Sequence, residues 1–143
     1  MITGMNHTGF IVRDLDRATE FYRDVMGMSV VGTKERQGEP ISQVVGYENT
    51  RLKRTMLSVG DNHLLELIQY LHPKGEERPS GERNTLGATH LALDVDDIQQ
   101  MYQHIIERGA RKLNPPVELD PGRLACYLQD PDGNWVELIQ TSP

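Results

Sequence analysis

Four residues of this chain are of metal-ligating type and stand at matched places: His7, Glu66, His90 and Glu137. The tetrapeptide Glu-Leu-Ile-Gln occurs at 66–69 and again at 137–140, an offset of 71 positions. Upstream, Gly4-Met5-Asn6-His7 aligns with Gly87-Ala88-Thr89-His90 at an offset of 83. Imidazole nitrogen and carboxylate oxygen suit a divalent ion of moderate hardness, in sites that commonly keep positions for water or substrate. A carboxylate within an apolar alternating strand is costly to desolvate, so each glutamate needs a reason to be there. A lone strand histidine is more often a satisfied core residue. Two imidazoles and two carboxylates in register argue instead for a ligand set holding one divalent ion (Ni, Co, Zn, Mn or Fe). His63, His72 and His104 have no duplicated counterpart and read as surface or structural residues.

The elements that must position these residues repeat too. Residues 5–12 alternate as a strand, with Met5, His7, Gly9 and Ile11 on one face. Asp14 is placed to cap a helix running to about Met26, with Gly27 past its end and a stripe of Leu15, Ala18, Phe21, Tyr22 and Val25. In the second half, 88–95 is the strand, Asp96 or Asp97 the cap, and Ile98, Met101, Tyr102 and Ile105 the stripe before Gly109. Extended segments follow at 29–34, 52–59 and 63–70 in the first half, the last after a turn at 60–62. In the second half they fall at 112–114, 123–129 and 135–140, the last after a turn at 130–134. The expected fold is α+β: two tandem βαβββ modules forming a cup-shaped mixed sheet. Residues 1–143 read as one domain, with module 1 at 1–71, a linker at 72–86 and module 2 at 87–143. The offset shrinks from 83 to 71, so the first half carries 12 extra residues, placed in loop 35–51 and read as a lid. Pseudo-twofold pairing of the modules would bring the four ligands to one point.

A formal charge of −6 and a pI near 5.3 argue against non-specific nucleic-acid binding, which needs a basic face. The single cysteine, Cys126, cannot form an intrachain disulfide; it reads as a small buried hydrophobe in a protein of the reducing cytoplasm. No apolar run reaches ~18 residues, so neither a signal peptide nor a membrane span is expected. Met5, Ile11, Leu64, Ile68, Trp135 and Ile139 share the ligand side of the strands and would line an apolar small-molecule cavity. Arg54 and Arg123 are candidates to hold a substrate carboxylate or phosphate.

On these residues the chain resembles the vicinal oxygen chelate superfamily, which includes glyoxalase I, methylmalonyl-CoA epimerase, extradiol dioxygenases and bleomycin-resistance proteins. The resemblance covers 4–141 and rests on His7 in NHTGFIVRDLDRATEFYRDVMGM, Glu66 in HLLELIQY, His90 in GATHLALDVDDI and Glu137 in DPDGNWVELIQ. It implies a metal-dependent isomerase or lyase that chelates neighbouring oxygens of a small carbonyl substrate and removes an α proton. Glu137 is the implied base and Glu66 the firm ligand. Alternatives are a non-haem Fe(II) dioxygenase using His7, His90 and Glu137, and a non-catalytic ligand-sequestering protein. Where glyoxalase I would place a glutathione-binding arginine and an asparagine, this chain has Ile11 and Tyr70, so Tyr70, with Trp135, is expected to meet a different substrate. The superfamily also implies a homodimer, because each module leaves strand edges and apolar surface to be covered.

Overall fold

The two halves of the chain each build one sheet with a helix against one face. The computed structural model describes residues 1–60 and 62–142 and divides into two compact units, Met1–Glu77 and Arg78–Pro143.

Unit 1 runs β1 (His7–Ile11), α1 (Leu15–Glu20), β2 (Ser29–Gln37), α2 (Glu39–Val45), β3 (Arg51–Ser58) and β4 (Leu64–His72). Its sheet order is β1-β4-β3-β2, with β1 parallel to β4 and the other pairs antiparallel. Period-2 alternation turns Phe10, Leu57, Leu65 and Leu67 to the helix side, where they are buried with Leu15, Ala18, Phe21 and Tyr22. Each buried leucine or phenylalanine among them contributes roughly 1.5–3 kcal/mol. The opposite face carries His7, Leu64, Glu66, Ile68, Tyr70, Arg54 and Met56.

The helix starts where expected: Asp14 accepts from Arg17 N at 3.1 Å. A second cap was not foreseen. Gln69 Oε1, from the end of the Glu-Leu-Ile-Gln repeat, accepts from Leu15 N at 3.1 Å. Unit 2 repeats the device, with Gln140 Oε1 accepting from Ile98 N at 2.9 Å and Asp97 from Gln100 N at 2.9 Å. The repeated glutamine thus satisfies a backbone donor that a helix start leaves open. The expected single α-helix to Met26 widens instead into a π-helical turn over Phe21–Val25, where Met26 N donates to Phe21 O. The neighbouring rings Phe21 and Tyr22 are both buried, in edge-to-face contact at 5.4 Å. Gly27, at φ 76°, ends the helix in the left-handed region that glycine enters without strain.

Unit 2 runs β5 (His90–Asp94), α3 (Ile98–Ile106), β6 (Arg111–Lys112), β7 (Val117–Asp120), β8 (Arg123–Gln129) and β9 (Trp135–Thr141). The order is β5-β9-β8-β6, with β7 also on β8. β6 and β7 share the β8 edge that corresponds to the β3 edge held by β2 in unit 1. The sequence expected one strand at 112–114. Pro115 and Pro116 lack the N–H a ladder needs, so the strand breaks and resumes at Val117. Buried Asp130 organises the turn before β9, accepting from the backbone N–H of Asp132 and Asn134. The turn expected at 60–62 includes Asp61, which lies outside the described residues.

The 12 extra residues of the first half fall between Gln37 and Arg51 and contain α2. Residues 78–86 attach to unit 2: Arg78 Nη2 donates to Asn134 Oδ1 at 3.1 Å, and Trp135 Nε1 to Gly81 O at 2.9 Å. Among the described residues, no helix is long and apolar enough to cross a membrane.

Candidate functional site

In unit 1, β1 and β4 run parallel with His7 opposite Leu64 and Gly9 opposite Glu66. This stagger sets His7 Nε2 3.2 Å from Glu66 Oε2. His7 Nδ1 lies 2.6 Å from Asn6 Oδ1, so its proton is directed there and Nε2 faces the carboxylate. The other carboxylate oxygen, Glu66 Oε1, accepts from Arg54 Nη1 at 3.0 Å.

Unit 2 repeats the pair with a different neighbour. His90 lies opposite Trp135 and Ala92 opposite Glu137, and His90 Nε2 is 3.3 Å from Glu137 Oε2. Directly across from Glu137 on β8 is Tyr127, whose hydroxyl lies 3.3 Å from His90 Nε2. Burial, and next the Glu137 charge, push the Tyr127 phenol above its usual range, so it stays a proton donor at neutral pH. The small residues Gly9 and Ala92 beside the two glutamates leave them uncrowded. The glutamate side chains are 13% exposed, whereas His7 and His90 are 39% and 47% exposed, so each pair is anchored in its sheet and open at the imidazole.

The donor chemistry fits a divalent metal. Two donors ~2.1 Å from one ion and adjacent in its shell sit roughly 3 Å apart. Each His/Glu pair has that separation, so either a proton or a metal ion can bridge the imidazole nitrogen and the carboxylate oxygen. Asn6, Arg54 and Tyr127 are the outer partners that orient such ligands. Among the described residues no group of three or more His, Cys, Asp or Glu side chains forms, so each unit presents a two-donor pair.

Trp135 is 7% exposed and walls a cleft of about 230 Å³ together with Arg83, Ala88, Thr89, His90 and Tyr127. Tyr70 stands on the open face of β4 and meets Tyr47, from the loop after α2, edge-on at 6.1 Å. Burial raises its phenol pKa, with Tyr47 and Glu66 adding to the shift. Arg123 begins β8 on the same side as Tyr127, four residues and roughly 13 Å away at strand rise. Sequence reasoning missed Tyr127 and Arg83. Tyr127 was legible as the residue facing Glu137 across an antiparallel pair once register was known. Arg83 lay in a segment read only as linker. Cys126 is buried, and burial pushes its thiol up to about 11.

Comparison with known proteins places the chain in a family. The sequence matches the Glyoxalase/Bleomycin resistance protein/Dioxygenase superfamily over residues 4–138, and the chain belongs to that superfamily. It is 31% identical over 138 residues to a probable lactoylglutathione lyase of Synechocystis sp., covering 95% of this chain and 94% of the relative. It is 30% identical over 144 residues to a 2-epi-5-epi-valiolone epimerase of Actinomyces sp., covering 94% of this chain and 78% of that one. A glyoxalase family protein from Bacillus cereus shares the fold at a TM-score of 0.91 and 23% identity, with 100% of this chain and 97% of the other covered.

Proposed function

We propose that the chain is a divalent-metal-dependent isomerase or lyase acting on a small carbonyl compound with an adjacent oxygen. The observation that carries this reading is the duplicated His/Glu pair, at 3.2 and 3.3 Å, on the open face of both units. His7, Glu66, His90 and Glu137 would hold one ion, whose chemistry would be to polarise the substrate carbonyl and offset the charge that develops on its oxygen. The lyase and epimerase names of the relatives support the same class.

The chain's own residues divide the work. Arg54 neutralises Glu66 and fixes its orientation, so Glu66 serves as the constant ligand. Glu137 is faced by a phenol rather than a cation, which leaves it able to take the α proton from substrate carbon. Tyr127, across from Glu137 and with its hydroxyl 3.3 Å from His90 Nε2, would position this His/Glu pair. Trp135, two residues before Glu137 on β9, walls the cleft that holds His90. Tyr70, Tyr47 and the α2 insertion form a wall on unit 1, and Arg123 supplies positive charge at the far end of β8.

Purified protein should hold about one divalent ion, and His7→Ala and His90→Ala should each remove most of it, measured by elemental analysis. Full metal retention in both variants would end the reading. One observation favours a second reading: the Arg54 salt bridge could set Glu66 aside, leaving His7, His90 and Glu137 as the facial triad of an Fe(II) dioxygenase. Oxygen uptake by the Fe(II)-loaded protein on a catechol panel separates the two. Edge strands with exposed Val30 and Val31 on β2, and Val117 and Leu119 on β7, support a homodimer. Light scattering should give about twice 16.2 kDa, and a monomer at micromolar concentration would contradict it.

A further inference from the structure

Arg83 has no regular structure around it, yet it is held in place. Thr85 Oγ1 donates to Ser80 Oγ at 3.0 Å, Ala88 N to Thr85 O at 2.9 Å, and Trp135 Nε1 to Gly81 O at 2.9 Å, which folds residues 80–88 onto unit 2. The guanidinium carbon sits over the Trp135 ring, 4.7 Å from its centroid, and 5.8 Å from the centroid of Tyr127. Among the described residues no carboxylate pairs with Arg83, although the chain carries 21 acidic residues against 15 basic ones. This contrasts with Arg54, which is already committed to Glu66.

A guanidinium seated on aromatic faces is held by its π surface and keeps the N–H donors around its rim free. Those donors match the two oxygens of a carboxylate or phosphate ester in a bidentate pair. The cleft that Arg83 helps to line also contains His90, and at about 230 Å³ it takes a small molecule rather than a large conjugate. We infer that Arg83 is the oxyanion clamp of this cleft, and that the substrate is a small carbonyl compound bearing a carboxylate or phosphate group. The inference rests on the proposed function, in which His90, which lines this cleft, and Glu137, 3.3 Å from it, form the reacting end. Arg83 fixes the anionic end, so that the opposite end of the molecule lies toward the imidazole and carboxylate.

The single tryptophan of the chain is Trp135, so its emission reports on this cleft alone. Lactate, glycerol 3-phosphate and lactamide are titrated into the purified full chain, with metal content determined on the same samples. Lactamide keeps a hydroxyl and a carbonyl oxygen that a metal could take, and replaces one carboxylate oxygen with an uncharged amide nitrogen. The expected result is a saturable change with lactate or glycerol 3-phosphate, the tighter of the two naming the anionic group, and at least a tenfold weaker response to lactamide. Arg83→Gln should weaken the anion at least tenfold with metal content unchanged, and Arg83→Lys should fall between it and the parent. Equal affinity in Arg83→Gln, equal response to lactamide, or no saturable change with either anion would overturn the clamp. A chain without metal that still showed Arg83-dependent anion binding would overturn the proposed catalysis and leave the clamp standing.

Discussion

Glu66 and Glu137 occupy the same place in a duplicated strand and pair with equivalent histidines at nearly the same distance, yet their other neighbours differ. Across from Glu66 stands Met56, and the diagonal position supplies Arg54. Across from Glu137 stands Tyr127, and the position equivalent to Arg54 is Ala125. One carboxylate is therefore pinned by a fixed cation, while the other has a phenol across from it. A hydrogen bond to a charged group contributes roughly 1.5–3 kcal/mol, enough for Arg54 to hold Glu66 in place, in keeping with the proposed roles of constant ligand for Glu66 and base for Glu137. The comparison teaches that the duplication kept the backbone and the His/Glu pairs and put the chemical difference into the middle strand.

Removing the two neighbours should separate the units. Arg54→Ala should lower divalent-metal affinity by about 10–100-fold, as loss of an outer partner does, while leaving the rate on metal-saturated protein within a few-fold. Tyr127→Phe should do the reverse, slowing α-proton exchange about tenfold with metal affinity nearly kept. Metal-buffered titrations and exchange rates on the same preparations test this. If Arg54→Ala slows saturated exchange as much as Tyr127→Phe does, the two sites are not functionally distinct.

A smaller contrast lies one residue further into each sheet. Buried Thr55 has its hydroxyl 2.9 Å from that of Thr33, while Cys126 at the matching place is a buried thiol pushed from 9.0 to about 11. The folded chain keeps a proton that the unfolded chain releases near pH 9, so this contribution is fully present below pH 9 and is lost as pH rises to about 11. Its size is on the order of 2 kcal/mol. Urea unfolding followed from pH 8 to 11 should show stability falling, with a shallower fall in Cys126→Ala. Burial raises Tyr70, Tyr102 and Tyr127 in the same direction, so some slope remains in the variant. An unchanged slope would mean that the thiol titrates as freely in the fold as in the unfolded chain.

Much of this was legible in the residues themselves. The repeated Glu-Leu-Ile-Gln and the two aligned histidines located both donor pairs, because ligand type and strand parity are local properties of the sequence. Asp14 and Gly27 marked the ends of a helix for the same reason. Cross-strand register was not legible, so the facing of Glu137 by Tyr127 and the reach of Arg54 to Glu66 went unseen. Gln69 and Gln140 looked like the polar ends of strands, and only the packing of strand against helix makes them caps. The split of one edge strand into β6 and β7 was hidden in plain view, since Pro115 and Pro116 already forbade a continuous ladder. Arg83 could not be read at all: its segment has no periodicity, and only the folded path sets it over Trp135.

The division of labour between the glutamates is tested most directly by exchange of the substrate α proton with solvent deuterium in Glu137→Gln and Glu66→Gln. A panel of 2-hydroxycarbonyl compounds serves as substrate, with metal content measured on the same samples. Glu137→Gln should lose exchange by about 10²–10⁴-fold while largely retaining metal, because the amide oxygen can still coordinate. Glu66→Gln should keep most exchange once saturated, with weaker metal binding because Arg54 loses its charged partner. Abolished exchange in Glu66→Gln beside intact exchange in Glu137→Gln would reverse the roles. Normal exchange in both would mean that neither carboxylate is the base.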